Sequence, residues 1–294
     1  KRAAPPLPIA GSFRAIDFSL SSMSNSHIQT VAVLTQYNAR SLNEHLSSAK
    51  WWNFGRKQGG LFLFTPTVTA DNSDWYRGTA DAMYQNIDFL KRRHEPYVII
   101  SSGDCVYKLD FNRVLDFHIE KKSDITVVCK DMMYNDDVSR FGVVRMDDES
   151  RITEFDEKPI DASSNTISTG IYVIRRRQLI ELLEAAAEEN RFDFVNDILV
   201  RYKNVKKIYG YKINSYWNNI ADIDAYFKTN MDFLRPDIRS YFFREEPTIC
   251  SKVDDLPPAK FNPGSDISNS LVSSGCIING SVEDSVLFKQ GFVG

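Results

Sequence analysis

The chain has 294 residues, 43% of them hydrophobic and 26% charged, enough for two domains with sizeable cores. With 36 Lys and Arg against 39 Asp and Glu, the net charge of −3 makes no overall electrostatic case for nucleic acid or an anionic membrane as partner. No apolar run is long enough to span a bilayer, and the opening KRAAPPLPIAG lacks the apolar stretch of a signal peptide.

In chain order, IQTVAVLT (28–35) predicts a buried strand, and Met83, Ile87 and Leu90 recur at helical spacing between Asp81 and Arg93. YVIISSGD (97–104) reads as a strand running into Ser-Gly-Asp, followed by a helical stretch over 111–120 and a strand over 124–130. RFGVVRMD (140–147) and RITEFDEKP (151–159) read as antiparallel strands about a turn at 147–150. ISTGIYVIR (167–175) is a further strand, and QLIELLEAAAEE (178–189) an amphipathic helix with Leu179, Leu182, Leu183 and Ala186 on one side. In SYWNNIADIDAYFKTN (215–230) a strand ends at Ser215–Trp217 and a helix opens near Ile223. The amides Asn218 and Asn219 stand at the turn between them. Strands alternating with helices predict a layered α/β domain with a largely parallel sheet.

After about Pro236 the prolines cluster and helical periodicity vanishes. Cys276, Val282 and Phe288 recur every six residues, as do Val272 and Ile278, the pattern of hexapeptide β-helix coils. So few coils rarely form a stable end, so a continuation past Gly294 is expected. The division is therefore 1–236 and 237–294. Cys105, Cys129, Cys250 and Cys276 form no metal-ligand spacing, and His27, His45, His94 and His118 are scattered. A reducing cytoplasm fits.

Three segments carry candidate chemistry. Asp104 follows a buried strand, where a carboxylate either holds Mg²⁺ against a phosphate or caps a turn. In WYRGTADAMYQN (75–86), Thr79 or Asp81 caps a helix, or the Gly-Thr pair turns backbone N–H groups toward a base or phosphate. Trp75 and Tyr76 either stack on a ligand ring or pack. In FDEKP (155–159), Lys158 sits before a proline in extended backbone and either pins a phosphate, oriented by Glu157, or forms a solvated charge pair.

The order and spacing of RAAPPLPIAGSFRAIDFSLS, LTQYNARSLNEHL, WYRGTADAMYQN, SSGDCVYKLD, FGVVRMD, FDEKP, STGIYVI, YWNNIADIDAYFKTNMD, PPAKF and LVSSGCIINGSV resemble the motifs of glucose-1-phosphate adenylyltransferases along nearly the whole chain. The resemblance implies a Rossmann-like nucleotidyltransferase domain with a mixed, mostly parallel sheet, followed by the start of a left-handed β-helix. It also implies ATP and glucose 1-phosphate as ligands, Mg²⁺ as cation, and ADP-glucose for glycogen synthesis as product. By resemblance Asp104 matches the Mg²⁺-binding aspartate. Glu157, Lys158, Ser168, Gly170 and Tyr172 match the sugar-phosphate side, with Thr169 replacing a usual methionine. Tyr76, Arg77, Gly78 and Thr79 match the nucleotide side. Lys1, Arg2 and Arg14 match basic residues of an anionic-effector site, and Gln36 and Trp75 match positions that relay activator binding.

The departures from the family pattern set the functional expectation. The glycine-rich phosphate loop would lie before Lys1. Ala4 takes the place of an active-site lysine. Asn219 stands where a second Mg²⁺-binding aspartate belongs, and Asn218 where an arginine belongs. A site that loses this much charge is similar to the GlgD-type subunit of Gram-positive bacteria. The expectation is thus a regulatory or weakly catalytic subunit in a heterotetramer with a catalytic subunit, open to an anionic effector. The alternatives are a fully active transferase with a substituted metal site, Asp222 helping, or a non-catalytic sensor of sugar phosphate or nucleotide.

Overall fold

The computed structural model describes residues 4–55, 59–67, 75–134 and 136–294. Strands β1 (Pro8–Ile9) and β2 (Phe13–Arg14) form a hairpin ahead of helix α1 (Ala15–Asn25). β3 (Thr30–Leu34) pairs in parallel with β4 (Gly60–Phe64), and α2 (Arg40–Leu46) lies between them in the chain. Where the sequence predicts one helical stretch over 81–93, there are two helices, α3 (Thr79–Gln85) and α4 (Ile87–Lys91). The break falls at Asn86, whose side-chain amide donates to the Ala82 carbonyl at 2.8 Å and to the Tyr76 hydroxyl at 3.0 Å. A short amide of this kind competes with the helix for backbone partners.

The central elements follow as β5 (Tyr97–Ser101), β6 (Cys105–Tyr107), α5 (Phe111–Glu120), β7 (Ile125–Asp131), β8 (Gly142–Met146), β9 (Ile152–Glu157), β10 (Thr166–Arg175) and α6 (Arg176–Glu188). A wide helical turn at Val195–Val200 leads to β11 (Ile208–Lys212), β12 (Trp217–Asn219), α7 (Ile223–Asp232) and α8 (Pro236–Phe243). The largest sheet runs β11-β7-β10-β8-β9, with β5 also on β10. β7 and β11 are parallel, and β5 and β7 both oppose β10, so β5, β7 and β11 point one way. With the parallel pair β3–β4, this is the mixed, mostly parallel arrangement that the sequence predicts. β8, also opposed to β10, points the same way as β5, β7 and β11, whereas β10 and β9 run against them.

Alternation along the buried strands assigns the two faces. Ile125, Val127, Cys129 and Ile174 point into a core with Leu179, Leu182 and Leu183 of α6. Val128, Ile171 and Val173 point into the opposite core, with Leu20 of α1 and Val114 of α5. A third cluster joins Phe18, Phe233 and Phe242, the last fully buried on α8. The helix α8 corrects the expectation that helical character ends near Pro236. Only two turns long, it is held by its aromatic side, with Phe242 edge-on to Phe18 at 5.3 Å, and that signal is not periodic.

His118 of α5 is buried, with Nδ1 2.8 Å from the Thr126 hydroxyl and no partner for Nε2 among the described residues. Burial, helped by the positive Arg175, lowers its pKa from 6.5 to about 4. The folded chain thus binds fewer protons at this site than the unfolded chain between those values. The resulting stability is present above pH 6.5 and is lost as pH falls toward 4. That loss is expected to reach up to about 3 kcal/mol. Urea midpoints followed from pH 7 to 4.5 should fall less steeply for His118→Phe than for the wild type.

The C-terminal part is built of β13 (Lys260–Phe261), β14 (Asp266–Ser268), β15 (Leu271–Val272), β16 (Ile277–Ile278), β17 (Ser281–Glu283), β18 (Val286–Leu287) and β19 (Phe292–Val293). They stack as three parallel ladders, β13-β16-β19, β14-β17 and β15-β18. Cys276, Ile278 and Val282 are buried together between the ladders, with Val272 packed against them. The six-residue spacing thus marks inward positions at Cys276 and Val282 and at Val272 and Ile278, whereas Leu287 and not Phe288 packs on this core. No helix among the described residues is long and apolar enough to cross a membrane.

Candidate functional site

The antiparallel pair β6–β12 sets the geometry at the end of β5. Trp217 faces Tyr107, Asn218 faces Val106 and Asn219 faces Cys105. Both asparagines therefore lie in the strand, not in the turn after it as the sequence suggests. The Ile220 N–H donates to the Asp104 carbonyl at 2.9 Å, which ties the start of the turn to the Ser-Gly-Asp segment. Asp104 and Asn219 are thus neighbours, as the resemblance implies.

Their side chains are already engaged. Asp104 Oδ1 accepts from the Ser102 hydroxyl. Asn219 Oδ1 accepts from the Ala221 N–H at 2.9 Å, and its Nδ2 faces Cys105 Sγ at 3.5 Å. Burial and the charge of Asp104 push the Cys105 thiol well above its usual range, so it stays protonated. Asn218 donates to the Tyr216 hydroxyl at 2.8 Å, and that hydroxyl donates to Asp232 at 2.7 Å. Asp222 caps α7, accepting from the Ala225 N–H at 2.7 Å, and forms an ion pair with Arg140. It does not turn toward Asp104, because both of its oxygens are committed to these partners.

As a Mg²⁺ site, this arrangement offers one carboxylate. The second position offers a neutral amide, whose single oxygen already accepts one backbone N–H. Among the described residues no group of three or more His, Cys, Asp or Glu side chains could hold a metal ion. The donor set falls short of the two carboxylates that the resemblance implies.

Ala4 borders the same segment. A Cβ on Gly103 would lie 3.3 Å from Pro5 Cγ, and the Leu7 N–H donates to the Ala4 carbonyl at 3.0 Å. On the opposite side, the Ser102 N–H donates to the Gly170 carbonyl at 3.0 Å. Gly170 sits at a bulge in β10 between Ser168 and Tyr172, with φ +74°, a conformation that glycine adopts without strain. The bulge lets the Ser168 hydroxyl reach Tyr172 at 3.3 Å, and Thr169 turns to the Val128 carbonyl at 2.9 Å. Burial raises the Tyr172 pKa, with the Glu157 carboxylate adding to the shift.

Glu157 ends β9 and is mostly buried, and its pKa is raised by burial, which the neighbouring Lys158 opposes. Lys158 Nζ lies 3.7 Å from Glu157 Oε1, and two-thirds of the lysine side chain is exposed (66%). Its backbone corrects the expectation of extended geometry before Pro159. With φ +51° it is left-handed, and its N–H donates to the Phe141 carbonyl at 3.0 Å. That bond, not the proline, sets the conformation.

The segment 75–79 reaches this pocket through 192–194. The Phe192 carbonyl accepts from the Ala80 N–H at 2.8 Å and the Asp81 N–H at 3.2 Å, and the Thr79 hydroxyl accepts from the Phe194 N–H at 2.9 Å. The Ala80 and Asp81 N–H groups at the start of α3 are therefore spent inside the protein. Gly78 is required because a Cβ there would collide with the Phe192 carbonyl. Arg77 lies over the Phe192 ring at 3.8 Å and pairs with Asp81 at 3.0 Å. The helix N-cap is Gly78 itself, while Asp81 accepts from the Arg77 N–H at 2.8 Å. Phe194 in turn packs on Tyr172 at 5.2 Å.

Of the effector-related positions, Gln36 and Trp75 lie beside Tyr76, and Arg14 bonds to α2. Gln36 Oε1 accepts from the Tyr76 N–H at 2.6 Å, and beside it Trp75 stacks on Tyr37 at 5.3 Å and 18°. Burial raises the Tyr76 pKa. Arg14 donates to the Ser41 carbonyl at 2.8 Å and hydroxyl at 3.0 Å. Next to it Ser12 and Phe13 line a cavity of about 460 Å³, together with Trp51, Cys250, Lys252 and Lys289. Lys1 and Arg2 lie outside the described residues. The sequence reading missed Ser102, Cys105, Arg140 and Phe192. Only Ser102 and Cys105, flanking Asp104, carried a local signal.

Residues 1–235 match the family described as Nucleotidyl transferase. A glucose-1-phosphate adenylyltransferase of Clostridium novyi is 37% identical over 295 residues, covering 99% of this chain and 77% of that protein. Glucose-1-phosphate adenylyltransferases of Clostridium acetobutylicum and Pseudothermotoga lettingae are each 38% identical over 297 residues and cover 100% of this chain. Those matches span 78% and 70% of the respective relatives.

Proposed function

This chain belongs to the glucose-1-phosphate adenylyltransferase family of nucleotidyltransferases, and on that premise we propose that it is a regulatory or weakly catalytic subunit of such an enzyme. It works beside a catalytic subunit that makes ADP-glucose from ATP and glucose 1-phosphate. One observation carries the reading: Asn219 sits next to Asp104 with its oxygen bonded to the Ala221 N–H and its nitrogen facing Cys105. Phosphoryl transfer relies on cations placed against developing negative charge, and here two of the charges that would organise it, at 219 and 4, are missing. Asp104 would hold Mg²⁺ with help from phosphate oxygens and water, more weakly than a pair of carboxylates.

The rest of the pocket supports retained binding. Glu157 and Lys158 pair with each other, Glu157 acts on the Tyr172 hydroxyl that Ser168 reaches across the Gly170 bulge, and the 76–79 segment packs against Tyr172 through Phe192 and Phe194. The C-terminal ladders are the first coils of a left-handed β-helix, which suits assembly into a heterotetramer. An anionic effector is assigned on this reading to the cavity beside Arg14, whose wall holds Lys252 and the Lys289–Asp254 ion pair. The cytoplasm, where both substrates reside, is the compartment.

The test compares ADP-glucose synthesis by this protein alone, by a catalytic relative alone, and by the two mixed. The mixture is expected to differ from the relative in rate or effector response, with this protein alone at least about a hundredfold slower. Full activity of this protein alone, or a mixture indistinguishable from the relative, would overturn the proposal.

A further inference from the structure

The loop before β8 and the turn before α7 are joined by one ion pair, between Arg140 and Asp222. Arg140 precedes Phe141, whose carbonyl holds the Lys158 N–H and whose ring packs edge-on to Trp217 at 5.7 Å. Asp222 lies three residues after Asn219, in the turn tied to the Asp104 carbonyl. Arg140 therefore links the segment that holds the Lys158 backbone to the turn that is tied to Asp104. Both partners are partly open to solvent, at 39% and 42%. The exposed Asp137 carboxylate, three residues before Arg140, accepts from the Ser139 N–H.

We propose that Arg140 is a phosphate-binding residue of this pocket, held by Asp222 in the empty chain and released to the phosphate of a sugar phosphate when one enters. This rests on the reading that the recess at Glu157 and Lys158 accepts a sugar phosphate. The exchange is favourable on simple grounds. A solvent-exposed ion pair is weak, whereas a phosphate offers up to two charges and three acceptor oxygens that suit the planar guanidinium fork. Lys158 supplies a point charge from one side and Arg140 a directional pair of donors from the other. Asp222 then has two roles that can be separated, since its cap on α7 needs only an oxygen, whereas its hold on Arg140 needs the charge.

Titration calorimetry with glucose 1-phosphate on the full chain tests the proposal. Arg140→Gln is expected to weaken binding about tenfold, and Arg140→Lys to recover part of that loss. Asp222→Asn keeps the helix cap, and freeing Arg140 is expected to tighten binding about threefold. Inorganic phosphate should follow the same order, while glucose should bind the wild type and Arg140→Gln alike. The proposal is overturned if Arg140→Gln binds glucose 1-phosphate as tightly as the wild type, or if Asp222→Asn weakens binding. Absence of binding by every protein would overturn it too. That result would leave the partner-subunit reading standing on the rates of the mixing experiment.

Discussion

Asn219→Asp combined with Ala4→Lys is expected to raise ADP-glucose synthesis by the full-length chain alone by about a hundredfold or more, with each single change giving far less. One unit charge at about 4 Å and an effective dielectric near 20 contributes roughly 4 kcal/mol, and about 1.4 kcal/mol corresponds to tenfold in rate. Water and phosphate oxygens already recover part of that in the wild type, so the gain is smaller than the raw figure. Both restored groups act on the same transition state, so their effects should be non-additive. The structure provides room for the change. Oδ1 at position 219 keeps its bond from the Ala221 N–H, and the second oxygen replaces the amide that now faces Cys105. Two carboxylates would then repel each other across β6–β12 unless a cation lies between them. Thermal melts of Asn219→Asp should accordingly rise with added Mg²⁺, while those of the starting protein should barely move. A double variant as inert as the starting protein would show that positions 4 and 219 did not silence the chain.

Trp217→Ala is expected to cost roughly 3–5 kcal/mol of stability in urea unfolding, a large share of what a domain possesses. Trp217 is 3% exposed, faces Tyr107 across the ladder and joins the main core with Val143 and Ile213. Its indole Nε1 is buried with no hydrogen-bond partner among the described residues. Trp217→Phe removes that desolvated donor while keeping most of the ring contact with Phe141. The loss of volume and the relief of the unpaired N–H then oppose each other, and the net change should stay within about 1 kcal/mol. If phenylalanine proves as harmful as alanine, the indole is needed for more than packing. The alanine variant should also lose affinity for glucose 1-phosphate, because Phe141, which positions Lys158, would lose its neighbour.

Much of this arrangement was legible where hydrophobic period and element length agree. The helix with Leu179, Leu182 and Leu183 buried and the strands leading to Asp104 and Glu157 follow the apolar pattern closely. So does the turn at Asp147, whose carboxylate accepts from the N–H groups of Glu149 and Arg151. Short elements escaped it. β6 is three residues long, and α8 is held by the aromatic cluster of Phe242, neither of which leaves a periodic trace. Contacts between distant segments escaped for a different reason. Gly78 under the Phe192 carbonyl is a relation between residues more than a hundred apart, and no local preference of Phe192 announces it. The left-handed backbone of Lys158 likewise comes from a bond to Phe141 across the hairpin. Motif order brought the site residues together on paper. Only the fold shows that Asn219 spends its oxygen on the chain itself.

That last bond has a wider consequence. Asparagine and aspartate have nearly the same shape, and either one closes the two-residue turn onto the Ala221 N–H. The ladder around it is held by backbone bonds and by the packing of Trp217. Interchange at position 219 therefore alters charge and reactivity while keeping the path of the backbone. A lineage built on this turn can move between maker of product and companion of a maker through a few such exchanges of charge, here at positions 4 and 219, without remaking the fold.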